Sequence, residues 1–70
     1  MAISYNKLWK LLIDKGIKKM KLKEMAEISN GTLARLGKNE SVSLDVLEKI
    51  CIVLECDIGD IVEFTKEDNE

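Results

Sequence analysis

The sequence predicts an all-α fold, a compact bundle of five short helices in a single domain spanning residues 1–70. Seventy residues provide for one small hydrophobic core. The chain has no proline and four glycines, and 46% of its residues are hydrophobic, which favours helices and excludes a disordered chain. Apolar residues recur at the three- and four-residue spacing of amphipathic helices. We expect order over about residues 3–64 and a polar tail over 65–70.

The first helix is predicted over Tyr5 to about Lys15. Ser4 precedes it and is a residue type that caps helix N-termini. Gly16 follows it and suits the left-handed conformation that ends many helices. The apolar stripe of this helix consists of Tyr5, Leu8, Trp9 and Leu12.

Two very short helices are predicted next, the second helix over about Met20 to Ala26 and the third over Asn30 to about Leu36. A sharp turn separates them, and Ser29 is placed to cap the third helix. Leu33 and Leu36 lie three residues apart and are expected to anchor it to the core. Helices of about two turns are marginal in isolation, so we expect the neighbouring helices to hold them in place.

The fourth helix is predicted over Leu44–Leu54, with Ser43 as its N-cap. A fifth helix is predicted from Ile58 to about Glu63, capped by Asp57. The fourth helix has the most regular apolar stripe in the chain, made of Leu44, Leu47, Ile50, Cys51 and Leu54.

Charge is distributed unevenly along the chain, although the net charge is only −2. Residues 1–39 hold nine basic and three acidic side chains, a net +6, and residues 40–70 hold two basic and ten acidic ones, a net −8. This asymmetry predicts one positive and one negative face.

Several classes of protein are not expected from this composition. Cys51 and Cys56 are five residues apart on or near one helix, a spacing that does not suit a disulfide in a continuous helix, so we expect reduced thiols. With no histidine in the chain, two cysteines do not complete a zinc site. We expect no metal, no cofactor and no enzyme activity. The sequence shows no membrane span or signal peptide, which predicts a cytoplasmic protein.

The two short helices and their turn predict a helix-turn-helix unit, whose second helix can enter the major groove of duplex DNA. Without its anchors, the third helix presents small or hydrogen-bonding residues. Arg35 is suited to guanine and Asn30 to adenine, while Gly31 permits close approach. The predicted DNA-binding residues are Lys19, Lys21, Ser29, Asn30, Gly31, Thr32, Arg35, Lys38 and Asn39, with the lysines and hydroxyls directed at phosphates.

Three stretches, ISYNKLWKLLIDK, ISNGTLARLGKNE and VSLDVLEKICIVLECDIGDIVEF, together resemble the Cro/repressor-type (XRE) helix-turn-helix family, in particular its short single-domain members. The resemblance covers residues 3–64. It implies a five-helix fold and a transcriptional regulator that binds specific double-stranded DNA through its third helix. It places base-facing positions at Asn30, Gly31 and Arg35, and phosphate-facing positions at Lys21, Ser29, Thr32 and the loop of Lys38 and Asn39.

Two positions depart from the family pattern. Met20 stands where the family usually has a Thr or Ser cap for the second helix, at a cost of about 1 kcal/mol. Glu27 stands in the turn where glycine is usual. A positive φ at Glu27 would be strained, and its charge would lie near the DNA.

A second function remains open from the residues alone. A protein-interaction module, such as an antirepressor or a subunit of a regulator, would keep the same fold and dock through the acidic half of the chain. Helix-turn-helix proteins usually reach DNA as dimers. We expect a homodimer. The apolar residues Ile58, Ile61, Val62 and Phe64 could form its contact, could form a surface for another protein together with the acidic half, or could complete the core.

Overall fold

The computed structural model describes residues 2–66, and residues 67–70 of the expected polar tail lie outside them. The helix predictions are confirmed to within one residue at each end for the first four helices. None of the described helices has the length and apolar character needed to cross a bilayer. In chain order the elements are β1 (Ala2–Ser4), α1 (Asn6–Lys15), α2 (Lys19–Ala26), α3 (Asn30–Gly37), α4 (Leu44–Leu54), a 3₁₀ helix (Ile58–Asp60) and β2 (Glu63–Thr65).

The predicted fifth helix is wrong. The chain forms a single 3₁₀ turn after Asp57, whose side chain and that of Asp60 cap each other's backbone N–H groups. It then extends into β2, which pairs antiparallel with β1 and sets Ile3 opposite Phe64. The extended conformation provides backbone hydrogen-bond partners that a lone short helix end would lack. Over residues 2–66 the fold therefore consists of four α-helices, the 3₁₀ turn and a small two-stranded sheet.

Two predicted helix caps are also wrong. Ser4 belongs to β1, and Tyr5 occupies the N-cap of α1, while the Ser4 hydroxyl accepts a hydrogen bond from the Asn6 N–H at 3.2 Å. The N-cap of α2 is Lys18, so Met20 lies inside the helix. Lys18 makes no side-chain cap, and α2 begins without the hydroxyl that the family pattern would supply.

The core lies where α1, α2, α4 and the 3₁₀ segment meet. Leu44 was expected in the apolar stripe of α4, but 70% of its surface is exposed, whereas Leu47 in the same turn is buried. Of the alternatives left open for Ile61, the structure selects the core, because Ile61 is fully buried and unavailable for a dimer contact. The buried apolar residues are Tyr5, Leu8, Leu12, Leu22, Ala26, Ile28, Leu36, Leu47, Ile50, Leu54 and Ile61.

The four α-helices of the described chain end in the same backbone arrangement. In each, a residue with positive φ follows the helix, and its N–H and that of the next residue close back onto carbonyls of the last turn. The four residues are Gly16 (φ 68°), Glu27 (φ 55°), Asn39 (φ 57°) and Glu55 (φ 54°). Glycine and asparagine tolerate this conformation well. The strain expected at Glu27 is therefore present, and Glu55 carries the same strain.

We predict that Glu27→Gly raises the free energy of unfolding by about 1 kcal/mol, because glycine adopts the left-handed conformation without a Cβ clash. Urea unfolding followed by circular dichroism measures the change. Glu27→Gln is the matched control, since it removes the charge and keeps the strained backbone. Equal stabilisation by both variants would show that charge, and not backbone strain, is the cost at this position.

Candidate nucleic-acid interface

The helix-turn-helix unit consists of α2, the turn through Glu27 and Ile28, and α3. Leu22 and Ala26 bury one face of α2 in contact with α3 and α4. Leu36 is the buried residue of α3, whereas Leu33 is only half-buried. Because α3 is anchored along one side, its opposite side faces solvent. That outer face holds Asn30, Gly31, Ala34 and Arg35, all of them exposed.

The N-terminus of α3 is ordered by Ser29, and the prediction of this cap is confirmed. The Ser29 hydroxyl oxygen accepts a hydrogen bond from the Thr32 N–H at 3.1 Å. The same hydroxyl donates to the Thr32 side-chain oxygen at 3.0 Å. The proton of Ser29 is thus engaged, and Thr32 retains a hydroxyl proton that it can donate outward.

Lys23 lies against the N-terminus of α3, although it is not among the predicted DNA-binding residues. Its ammonium donates to the Asn30 side-chain carbonyl at 2.9 Å. The Asn30 amide N–H₂ takes no part in this hydrogen bond. Lys19 is four residues earlier on α2 and therefore lies on the same side of that helix. The i, i+4 spacing of Lys19 and Lys23 is the sequence signal that would have included Lys23 in the site.

Lys19 and Lys21 do not share a face. The Lys19 ammonium lies 4.4 Å from the centre of the Trp9 ring, a cation–π contact that links α2 to α1. Lys21 instead lines a shallow apolar groove beside Met20, Glu24 and Met25. The structure therefore brings Lys19, rather than Lys21, to the side of α2 from which Lys23 reaches Asn30.

The remaining predicted contacts lie at and after α3. Arg35 and Lys38 are exposed. A Cβ built at Gly31 would meet only the Ser29 hydroxyl, at 3.8 Å, so the fold has room there for a side chain. The fold therefore does not require glycine at position 31, and the missing side chain leaves room for an approaching ligand.

Asn39 has a structural contact that the sequence did not reveal. Its side-chain oxygen accepts a hydrogen bond from the Tyr5 N–H at 3.1 Å. The Tyr5 hydroxyl donates to the Glu40 carbonyl at 2.7 Å. Tyr5 thus ties the start of α1 to the loop after α3, and Asn39 has only its amide N–H₂ left for a phosphate. Burial raises the pKa of Tyr5, so the phenol stays protonated as this donor.

The positive and negative halves of the sequence are not cleanly separated in space. Lys7, Lys10 and Lys15 line a groove between α1 and the acidic carboxy-terminal half, which contributes Glu55 and Asp60. The Lys7 ammonium also donates to the Gly59 carbonyl at 3.2 Å. These three lysines therefore lie among acidic residues, and the basic residues on or next to α2 and α3 are the ones assigned to the candidate interface.

Comparison with known proteins defines the class of this fold and site. Residues 7–67 match the model of the Cro/C1-type HTH DNA-binding domain, and the chain belongs to this family. The family prediction is thereby confirmed, and DNA is the partner of this class. The chain is a DNA-binding helix-turn-helix protein of the kind found in transcriptional regulators.

Two particular relatives are close. The chain is 37% identical over 57 residues to the uncharacterized HTH-type transcriptional regulator YozG of Bacillus subtilis (strain 168), a match that covers 74% of this chain and 68% of YozG. The crystal structure of the transcriptional regulator VanUg, form II, superposes with a TM-score of 0.91 at 57% sequence identity. That match covers 94% of this chain and 88% of VanUg.

Proposed function

We propose that this chain regulates transcription by binding a specific duplex DNA sequence with α3 in the major groove. The outer face of α3 carries the proposal. It is exposed, it lacks bulky apolar side chains, and it presents Asn30 and Arg35 on either side of the small residues Gly31 and Ala34. A helix about 10–12 Å across fits a major groove about 12 Å wide.

Two side chains are proposed to read bases. Arg35 is exposed in the last turn of α3, and its guanidinium is suited to the two acceptors of guanine. Asn30 is suited to adenine, and its contact with Lys23 must open for both its oxygen and its nitrogen to reach a base. Gly31 lies between them and allows the groove wall to approach the backbone.

Phosphate contacts are proposed on both sides of α3. The exposed N-terminus of the helix and the Thr32 hydroxyl attract a phosphate directly. Lys19 on α2, with Lys38 and the Asn39 amide after α3, is proposed to contact the flanking backbone. Lys21, which lies on another face of α2, is proposed to contact a phosphate farther from α3. Ser29 is proposed to act at the same phosphate by holding Thr32 in place.

We also propose that two copies bind one operator. Ile61 is excluded from the contact because it is buried, but Phe64 and Ile58 remain 67% and 40% exposed. Both line an apolar groove of about 240 Å³, together with Ile3 and Val62. A symmetric pair formed through this groove predicts half-sites about one helical turn apart, near 34–36 Å.

A fluorescence-anisotropy titration against duplex DNA from the protein's own promoter region tests both proposals at once. We expect specific binding, with log K falling against log salt with a slope of about −3 per chain, since about three lysines displace counterions. We expect a stoichiometry of two chains per duplex. Unrelated duplex DNA of equal length is the control for specificity.

Absent binding, or binding that does not respond to salt, would contradict the DNA proposal. One chain per operator at saturation would contradict the dimer alone. Tight capture of a protein partner without any DNA binding would favour a protein-interaction module with the same fold.

A further inference from the structure

The end of α4 brings together the only two cysteines of the chain. Cys51 lies in α4, and Cys56 follows the left-handed residue Glu55, so the two are not in one continuous helix. The Cys56 N–H donates to the Cys51 carbonyl at 3.0 Å. This is the hydrogen bond of the helix-ending arrangement in which the side chains of its two residues typically touch.

The backbone geometry is compatible with a bond between the two sulfurs. With the amide nitrogen 3.0 Å from the carbonyl oxygen, standard bond lengths limit the separation of the two Cα atoms to about 7 Å at most. Disulfides usually join Cα atoms about 4.4–6.8 Å apart. The two cysteines are not in one continuous helix, because the turn at Glu55 redirects Cys56. The spacing argument against a disulfide therefore does not apply to the folded protein.

We propose that Cys51 and Cys56, both free thiols in this structure, form an internal disulfide when the folded protein meets a low-molecular-weight disulfide. The bond closes a ring over residues 51–56 and links the end of α4 covalently to the segment that leads to the 3₁₀ helix. Both cysteines are half-buried against the core. This position favours a bond between the two over a bond to a second chain.

Cys56 is the sulfur that reacts first. It lines the open groove beside Lys15, whereas Cys51 does not line it. The Cys56 thiolate attacks the small disulfide, forms a mixed disulfide and releases one small thiol. The Cys51 thiolate then attacks the Cys56 sulfur, forms the internal bond and releases the second small thiol. Two protein thiols are oxidised, one small disulfide is reduced, and both protons are transferred to the released thiolates.

The surroundings predict a slow reaction at neutral pH. Burial and the neighbouring Cys56 thiol raise the pKa of Cys51 to about 11. Burial raises the pKa of Cys56, against the lowering effects of the Cys51 thiol and the Lys15 ammonium, while Asp57 and Asp60 add to the rise. Because only thiolates attack, the rate is expected to increase up to about tenfold per pH unit below these pKa values.

Oxidised and reduced glutathione buffers, with acid quenching and intact-mass measurement, test the proposal. We expect a species lighter by two hydrogen atoms to accumulate in the full chain. Cys51→Ser and Cys56→Ser are the matched controls, and each is expected to stop at the glutathione adduct or remain reduced. The equilibrium constant for the internal bond is expected to be roughly tenfold or more higher in the folded protein than in urea.

Two results would overturn the proposal. One is accumulation of only glutathione adducts or disulfide-linked dimers in the folded full chain. The other is an equilibrium constant in buffer no higher than in urea, because the fold would then contribute nothing to the pairing. Neither result depends on DNA binding, so the test is independent of the proposed function.

Discussion

Leu36→Ala is expected to lower the free energy of unfolding by about 2–5 kcal/mol. Leu36 is fully buried and is the residue that anchors α3 to the core. A domain of this size is stable by only about 4–10 kcal/mol, so the substitution removes a large share of the total and leaves α3 poorly held. Urea unfolding monitored by circular dichroism gives the change directly.

Leu33→Ala is the matched control on the same helix. Leu33 is half-buried, so its truncation is expected to cost clearly less than that of Leu36. If the two variants lost equal stability, Leu33 would be as much an anchor as the sequence pattern suggested. In that case α3 would be anchored along a wider side, and fewer of its residues would be available for DNA.

Arg35→Ala is expected to weaken operator binding by about 1–3 kcal/mol while leaving binding to unrelated duplex DNA nearly unchanged. The reason is the geometry of the guanidinium, whose paired donors match one base and no other. Arg35 is exposed and lies in the last turn of α3, so its loss leaves the fold intact. Competition titrations with operator and unrelated duplexes measure the specificity ratio.

Lys38→Ala is the control for charge. Lys38 is exposed and adjoins α3, and its removal is expected to weaken binding to both duplexes by the same factor and to reduce the salt slope by about one. If Arg35→Ala also weakened both duplexes equally, Arg35 would be a phosphate contact. Base reading would then have to rest on Asn30 and the backbone at Gly31.

Local signals account for the success of the helix predictions. Ser29 and Ser43 both cap the helices that follow them, and each accepts the hydrogen bond expected of an N-cap. Gly16 takes the left-handed conformation. The regular stripe of α4 correctly identified Leu47, Ile50 and Leu54 as buried. Each of these features depends on residues within about one helical turn of each other.

Long-range contacts account for the failures. β1 and β2 stabilise one another across about sixty residues of chain, so neither has a local signal that competes with helix propensity. Leu44 continues the apolar spacing of α4 and is nevertheless exposed, so its spacing alone does not show whether it is buried. Ile61 is equally apolar and is fully buried because the 3₁₀ turn directs it inward.

The candidate site was predictable in outline only. The polar outer face of α3 follows from the spacing of Leu33 and Leu36, but the partners of individual side chains do not. The bond from Lys23 to Asn30 depends on the angle between α2 and α3. The bond from Tyr5 to Asn39 joins residues 34 positions apart. The position of Asn39 just after the third helix and the family resemblance predict a phosphate contact, but they do not reveal that its side-chain oxygen already accepts the Tyr5 N–H.

The pairing of β1 with β2 also places two sequence-distant positions side by side. Ala2 lies directly opposite Thr65. Labels attached to these two residues would occupy the same neighbourhood, next to Phe64. A donor dye at position 2 and an acceptor dye at position 65 would therefore report the closing of the strand pair during folding.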